Sequence, residues 1–428
     1  MIHAGLRGAI AYTLCIQFPV DSFQVAVRLS TNSQHNSNLF FVFLFQKTTA
    51  YYRLRRRFLR FIGDANSVTM STSADNSEKS KNDYDPYTDV KEKGKQFELS
   101  SLVFQYNLDR QNDPLRKEIF RRIEADNMGP YYSYLAERFS WPVDKEKLLQ
   151  YTTVNKARIE ELKLTLADAV EQLGDGEQHD AAVNIAEYYA SIGDKDNTLK
   201  AYDEALERAF SAGQKIDITL AKARCALFFG DTAVLKGVLE KATKLVEKGG
   251  DWDRRNRLQV YEGTAAVLNR DFQKASELFL SSLATFTCFE LHDYKHFVYL
   301  TVVVSVLALN RPDLKSKVID SPEILSVVDN IPHIGVFLKS LYDCNYKAFM
   351  ESIVDLHAGF VQNQFLSAHV DFVLRECRVL AYKQFLQSYK SVTLANMAAS
   401  FGYSEAFLDQ ELSRFIAVDR LSARIDKV

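Results

Sequence analysis

A chain of 428 residues whose 53 basic and 55 acidic side chains nearly cancel, at a net charge of −2, has no global pull towards nucleic acid or an anionic membrane. Hydrophobic residues at 47% can fill a sizeable core, and 8 prolines with 17 glycines are too few for a turn-rich β protein, so an all-α chain is expected. The cysteines Cys15, Cys225, Cys288, Cys344 and Cys377 never stand at C-x-x-C spacing, which argues against a zinc ribbon, a thioredoxin-like site and a disulfide framework. They read as reduced thiols, with Cys225 and Cys377 at core helix positions.

Residues 1–63 hold eight bases against one acid, Asp21. The apolar run "LFFVFLF" at 39–45 falls far short of the ~20 residues that span a bilayer and lies too far in for a secretory signal. An Arg-rich, acid-poor leader also suits a mitochondrial transit peptide. Met70, however, opens a Ser/Asp/Lys-rich stretch of the kind that stays disordered. Met70 is therefore read as the natural start, residues 1–69 as a basic leader outside the working protein, and 70–97 as a disordered polar N-terminus.

From residue 98 the texture is helical. "NKARIEELKLTLADAVEQLG" predicts a long amphipathic helix over 155–174, ended by Gly174. Asp194, Asp231 and Asp271 then fall 37 and 40 residues apart, each between two helical stretches. A helix pair recurring at that period predicts a right-handed tetratricopeptide-like solenoid over 98–285, although unrelated helices of similar length give a comparable pattern because consensus residues are faint. Solenoids present extended faces rather than chemistry.

Within the solenoid, "KGGDWDRRNRLQVYEG" at 248–263 reads as a helix stop at Gly249 and Gly250, then a cap at Asp251. Trp252 is expected to staple the turn. Arg254, Arg255 and Arg257 place three guanidinium groups near one helix end, either as a solvated face or as a contact for an acidic partner. Further on, "HDYKH" sets His292 and His296 at i and i+4, but Asp293 replaces the glutamate of a zinc protease and no third ligand is evident, so two partly exposed histidines without metal are expected. The sequence contains no G-x-x-x-x-G-K-[ST], no metal motif of a JAMM-type deubiquitinase and no G-x-S-x-G. No catalytic residue, cofactor or metal is predicted.

The C-terminal "TLANMAASFGYSEAFLDQELSRF" at 393–415 has the outline of a helix-turn-helix, broken at Gly402 and recapped at Ser404. A DNA-reading helix should be basic. Here Glu405, Asp409 and Glu411 oppose Arg414 alone, a net −2 between 404 and 417, so a protein interface is expected rather than nucleic acid. Leu421, Ala423 and Ile425 alternate with Ser422, Arg424 and Asp426, which predicts a β-strand: the first strand of a wing whose return strand the sequence does not supply before Val428.

Four stretches together resemble one family: "DNMGPYYSYLAERFSWPVDKEKLL" (126–149), "GGDWDRRNRLQVYEG" (249–263), "ATFTCFELHDYKHFVYLTVVVSVLALNRPDLKSKVI" (284–319) and "SVTLANMAASFGYSEAFLDQELSRFIAVDRLSARIDKV" (391–428). The likeness is to the subunit 7 family of the non-ATPase regulatory particle of the 26S proteasome, and it runs from about residue 98 to the end. Subunit 1 of the COP9 signalosome shares this architecture and remains the alternative. The resemblance implies an all-α solenoid followed by a PCI domain over 286–428, whose winged-helix part is about 386–428 with the wing truncated. It implies a non-catalytic scaffold of the lid, in cytoplasm and nucleus, packed against other PCI and MPN subunits and the ATPase ring, with no nucleic acid and no membrane. Arg254, Arg255, Arg257, Glu405, Asp409, Arg414, Leu421, Arg424 and Ile425 are the candidate interface residues.

Overall fold

The computed structural model describes residues 88–426, and side chains from residue 94. The basic leader, the suggested start at Met70 and residues 427–428 lie outside the described residues. A first helix, α1 (Thr88–Leu108), already covers the last ten positions of the segment expected to be disordered up to residue 97. Among the described residues every regular element is helical.

Helices α1, α2 (Asp113–Ala125) and α3 (Gly129–Phe139) enclose an aromatic cluster with Trp141 at its centre. Trp141 stacks edge-on against Tyr106 at 5.4 Å and donates its indole N–H to that hydroxyl at 3.3 Å, so the one polar atom of the indole is satisfied where it is buried. The long helix α4 (Lys145–Gln172) starts ten residues before the periodicity predicted. Asp144 sets that start by accepting the amides of Glu146 and Lys147. Only a narrow seam of α4 is buried, and within it Asn155 donates to Asn127 O at 2.9 Å and accepts the Tyr188 hydroxyl at 3.0 Å.

Three helix pairs follow: α5 (Asp175–Ser191) with α6 (Lys195–Arg208), α7 (Ala212–Phe229) with α8 (Thr232–Gly249), and α9 (Trp252–Leu268) with α10 (Phe272–Ser282). One turn chemistry is used three times. The first helix ends in a left-handed residue, Gly193, Gly230 or Arg270, at φ 74°, 71° and 61°. The next residue is the repeating aspartate. Its amide reaches back five residues to Tyr189 O, Ala226 O or Ala266 O, and its carboxylate accepts an amide three residues ahead at Asn197, Val234 or Lys274. Glycine adopts that φ without strain, whereas Arg270 bears a cost of about 1–2 kcal/mol. The aspartates therefore repeat because each satisfies orphan amides at the start of the second helix of a pair.

The C-terminal half is built around α11 (Tyr294–Ala308), whose run Val302, Val303, Val304 and Val306 is buried on all sides. Four β-branched residues disfavour a helix, and burial overrides that preference. The helix is too short to cross a membrane, and no other described helix is long and apolar enough to do so. A four-residue helix, α12 (Arg311–Leu314), continues into a π turn at Lys315–Ile319 and is followed by α13 (Pro322–Val328). Then α14 (Ile334–Tyr342) and α15 (Tyr346–Gln362) reuse the solenoid turn, with Cys344 at φ 60° and Asn345 as the cap. A single 3-10 turn leads into α16 (Val370–Leu386), and α17 (Leu394–Phe401) and α18 (Glu405–Ala417) form the expected helix-turn-helix. One apolar core runs without a break from Ile216 in α7 to Leu421 after α18, so the last solenoid pairs and the C-terminal half are a single packing unit.

Candidate interface surfaces

The arginines of α9 were expected to face outward, and two of them do not. Arg254 donates to both carboxylate oxygens of Asp217 on α7, at 3.0 and 2.5 Å, and pairs with Asp251 on its own turn. Arg257 donates to Asp217 at 3.3 Å and to Glu290, in the loop before α11, at 2.8 Å. Buried Arg224 on α7 completes the cluster, pairing with Glu187 on α5 and with Glu290. Burial alone would raise the Glu290 carboxyl, but Arg257 and Arg224 with the hydrogen bonds of Arg257 and Tyr261 hold it at about 2. Arg254 and Arg257 therefore tie consecutive solenoid layers together instead of waiting for an acidic partner. Arg255, one residue between them, points away and is exposed.

Trp252 is 60% exposed and staples nothing. As the first residue of α9 it follows a cap already satisfied by Asp251, which accepts the Arg254 amide at 3.0 Å, so the turn closes without it.

In the helix-turn-helix, Thr393 and Ser404 cap α17 and α18, and Gly402 makes the left-handed turn at φ 71°. Met397, Phe401, Leu408, Leu412 and Phe415 are buried, with Phe401 stacked on Tyr346 at 4.9 Å and edge-on to Tyr382 at 4.9 Å. One acid of the sequence count, Glu411, is buried as well. It accepts from Arg378 Nε at 2.8 Å and from the Tyr382 hydroxyl at 2.5 Å, so its charge is answered inside the fold. Asp409 is half-buried, with Oδ1 shielded from solvent and without a hydrogen-bond partner. Glu405 and Arg414 are exposed and opposite in sign. The outward face of α18, with Ala406, Phe407, Gln410 and Ser413, is thus close to neutral. Phosphate repulsion is weaker than the net −2 implied, and what makes α18 a poor DNA reader is that Arg414 is its one base.

Beyond α18 the chain turns at Asp419 (φ 56°) and runs extended. Leu421 is 2% exposed, Ala423 and Ile425 are half-buried, and Ser422, Arg424 and Asp426 are exposed. The alternation of faces is as the pattern predicts. No strand forms, because among the described residues no backbone hydrogen bond reaches 422–426. Leu421 and Ile425 lie on the buried face that the alternation implies, Leu421 within the apolar core and Ile425 half-buried against it, which takes Leu421 out of the candidate interface.

Of the two histidines, His296 is half-buried, as read from the sequence, and His292 is not. His292 lies fully buried in the turn before α11, and only His296 is on the helix, so they share no helical face. Their Nδ1 atoms face each other at 3.1 Å. Among the described residues no group of three or more His, Cys, Asp or Glu is placed to hold a metal. Cys225 and Cys377 are buried as expected, Cys288 likewise, and Cys344 is exposed.

Two family models match the chain: one described as 26S proteasome subunit RPN7 over residues 144–317, and the PCI domain over 353–428. The 26S proteasome non-ATPase regulatory subunit 6 homolog of Arabidopsis thaliana is 40% identical over 314 residues, covering 73% of this chain and 81% of that protein. The subunit 6 protein of Dictyostelium discoideum is 37% identical over 331 residues, 77% of this chain and 87% of that protein. The regulatory subunit RPN7 of Saccharomyces cerevisiae is 36% identical over 361 residues, 78% of this chain and 84% of that protein. The chain belongs to the RPN7 family.

In this RPN7-family chain the solenoid pairs and the arginine cluster lie in the span of the first model, and the helix-turn-helix with its tail in that of the PCI domain. The structure brings Glu405, Asp409 and Arg414 onto one helix, separate from Arg254, Arg255 and Arg257. Sequence reading missed Phe407, 47% exposed on α18, and Val418, 66% exposed just after it. A signal was present: Phe407 falls outside the stripe of Leu408, Leu412 and Phe415, so its ring had no inward place.

Proposed function

We propose that this chain is a non-catalytic structural subunit of the lid of the 26S proteasome regulatory particle, bracing the assembly that degrades ubiquitinated proteins. The observation that carries the reading is kinship at 40% identity over 73% of the chain with a proteasome regulatory subunit. The fold suits the role. Charged side chains that could have formed a site are spent on joining solenoid layers, while the outward face of α18 is nearly neutral and carries an exposed ring. In this reading 98–285 is the solenoid and 286–428 the PCI domain, with the winged-helix part from about 386. Other PCI and MPN subunits of the lid are the neighbours, the ATPase ring is a further contact, and the location is cytoplasm and nucleus. Arg255, Glu405, Arg414 and Arg424, which remain exposed, are the interface residues retained from the sequence reading, with Phe407 and Val418 added.

The test is native purification through a tag on this chain, with quantitative mass spectrometry of what accompanies it. Lid and ATPase subunits in stoichiometric amounts are expected. Recovery with signalosome subunits, or of the chain alone, would overturn the assignment.

A further inference from the structure

Four side chains form a single-file hydrogen-bonded chain from the last solenoid pair to the C-terminal half. It begins at Asn363, the residue that closes α15. Asn363 Oδ1 accepts the amides of Phe365 and Leu366 at 2.9 and 3.2 Å, which fixes the orientation of the side-chain amide. The atom left facing His296 Nε2, at 2.7 Å, is therefore Nδ2, which can only donate. His296 Nε2 must be bare, and its proton sits on Nδ1. That N–H meets His292 Nδ1 at 3.1 Å, which must accept. The proton of His292 is then on Nε2, directed at Thr264 Oγ1 on α9 at 2.9 Å, and the Thr264 hydroxyl spends its own proton on Val260 O at 2.8 Å. Every donor meets an acceptor, in one direction. A second proton on His296 would set N–H against the N–H of Asn363, and one on His292 would set N–H against the N–H of His296.

We propose that this chain is an acid-sensitive latch that fixes the setting of the C-terminal half against α9, holding while both imidazoles are neutral and releasing when either takes a proton. It stands on the geometry of this chain alone, whichever neighbours the outer faces take. The charged groups around it do not compensate an added proton. Asp293 and Lys295 flank the pair on its own segment and are exposed, and Asp293 raises His296 by less than burial lowers it. Glu290, in the same loop, is already committed to Arg257 and Arg224. Lys95 and Glu98 of α1 line the far side of the groove beside His296, and Glu323 of α13 bears on Tyr294. From α9 the pair is met by Thr264 and from the end of α15 by Asn363, and the Phe365 ring closes over it. Burial accordingly pushes both histidines down, His296 to about 4. A folded value below the ordinary 6.5 means that the latch is at full strength above about pH 6.5 and weakens as pH falls towards about 4.

The full-length protein with ¹⁵N-labelled histidine tests this directly. At pH 7.5 the two rings should be opposite tautomers, Nδ1–H on His296 and Nε2–H on His292, and the same tautomer on both would overturn the assignment. Hydrogen exchange in 292–300 and 359–366, corrected for intrinsic rate, should show opening at least roughly twenty-five-fold more frequent at pH 5 than at pH 7.5, from linkage of values near 4 and 6.5 for His296 alone, with His292 adding to it. The isosteric Asn363→Asp keeps the two amide bonds but turns a donor into an acceptor that welcomes a second proton on His296. The acid weakening should disappear, with the latch no looser at pH 5–6 than at pH 8, where the neutral rings can reverse both tautomers and still pair. An Asn363→Asp protein that loosens towards acid, as the unaltered protein does, refutes the latch. Should that variant fail to fold, the tautomers of the unaltered protein still decide.

Discussion

Replacing Glu290 by Gln keeps the shape of a 3%-exposed side chain and removes the charge on which the arginine cluster closes. The carboxylate takes Arg257 at 2.8 Å, Arg224 at 3.3 Å and the Tyr261 hydroxyl at 2.7 Å. Held at about 2, well below the ordinary carboxylate range, by Arg257 and Arg224, the carboxylate is favoured in its charged form in the folded state by about 3 kcal/mol. A second route gives a similar figure, since removing one member of a buried ion pair typically costs about 3–5 kcal/mol because the other charge stays behind. Glu290→Gln should therefore lose about 3 kcal/mol in urea denaturation at pH 7. The acid dependence should change too. A depressed carboxylate contributes stability above its unfolded value that is lost as pH falls, so the unaltered protein should weaken between about pH 4.5 and 2 more steeply than the variant. A loss under about 1 kcal/mol, or identical acid slopes, would show that the cluster does not hold the solenoid layers together.

Four further outcomes are expected. Trp252→Ala should cost less than about 1 kcal/mol in the same denaturation assay, since the ring is mostly in solvent; a loss in the 3–5 kcal/mol range of an emptied aromatic site would restore the staple. Gly263→Ala should lower stability by about 1–3 kcal/mol even though alanine gains about 1 kcal/mol in a helix, because the added methyl lies 2.4 Å from the Phe279 ring; a raised melting temperature would contradict that contact. Arg255→Ala should leave the melting temperature unchanged but weaken co-purification with the complex, whereas Arg257→Ala should destabilise the isolated chain; the reverse order would return Arg255 to the fold. The full-length protein should show no sequence-specific DNA binding at physiological salt, and sub-micromolar affinity with a steep salt slope would overturn the interface reading of α18.

What could be read from the sequence was whatever is decided within a few residues. Asp194, Asp231 and Asp271 were visible because a cap and a left-handed turn are local chemistry, complete without the rest of the fold. The turn at Cys344–Asn345 does the same work and went unseen, because Asn stands in for Asp and Cys for Gly. The helix-turn-helix was legible for the same local reason. Partners far along the chain were not. Glu411 looked like surface charge until Arg378 and Tyr382, about thirty residues upstream, were found beside it. Arg257 found Glu290, and Arg254 found Asp217, only through the stacking of helix pairs. Trp252 misled in the other direction, since a large ring next to a capped turn suggests packing and only tertiary placement leaves it outside.

The valine run of α11 has a consequence for synthesis. "TVVVSVLAL" is uncharged, rich in β-branched residues and free of proline, the kind of segment that pairs with its own kind when left bare. In the finished protein α10 packs on one side of it, while α13, α14 and α16, which cover other sides, are translated afterwards. At the usual 5–20 residues per second, the residues between Ala308 and Leu386 take on the order of ten seconds to make. For that interval a ribosome carries an aggregation-prone helix covered on the α10 side but not yet by α13, α14 and α16. The nascent chain should therefore lean on ribosome-associated chaperones most heavily once α11 has emerged and least once α16 has, so production of this subunit should be limited by protection in mid-synthesis more than by the stability of the mature fold.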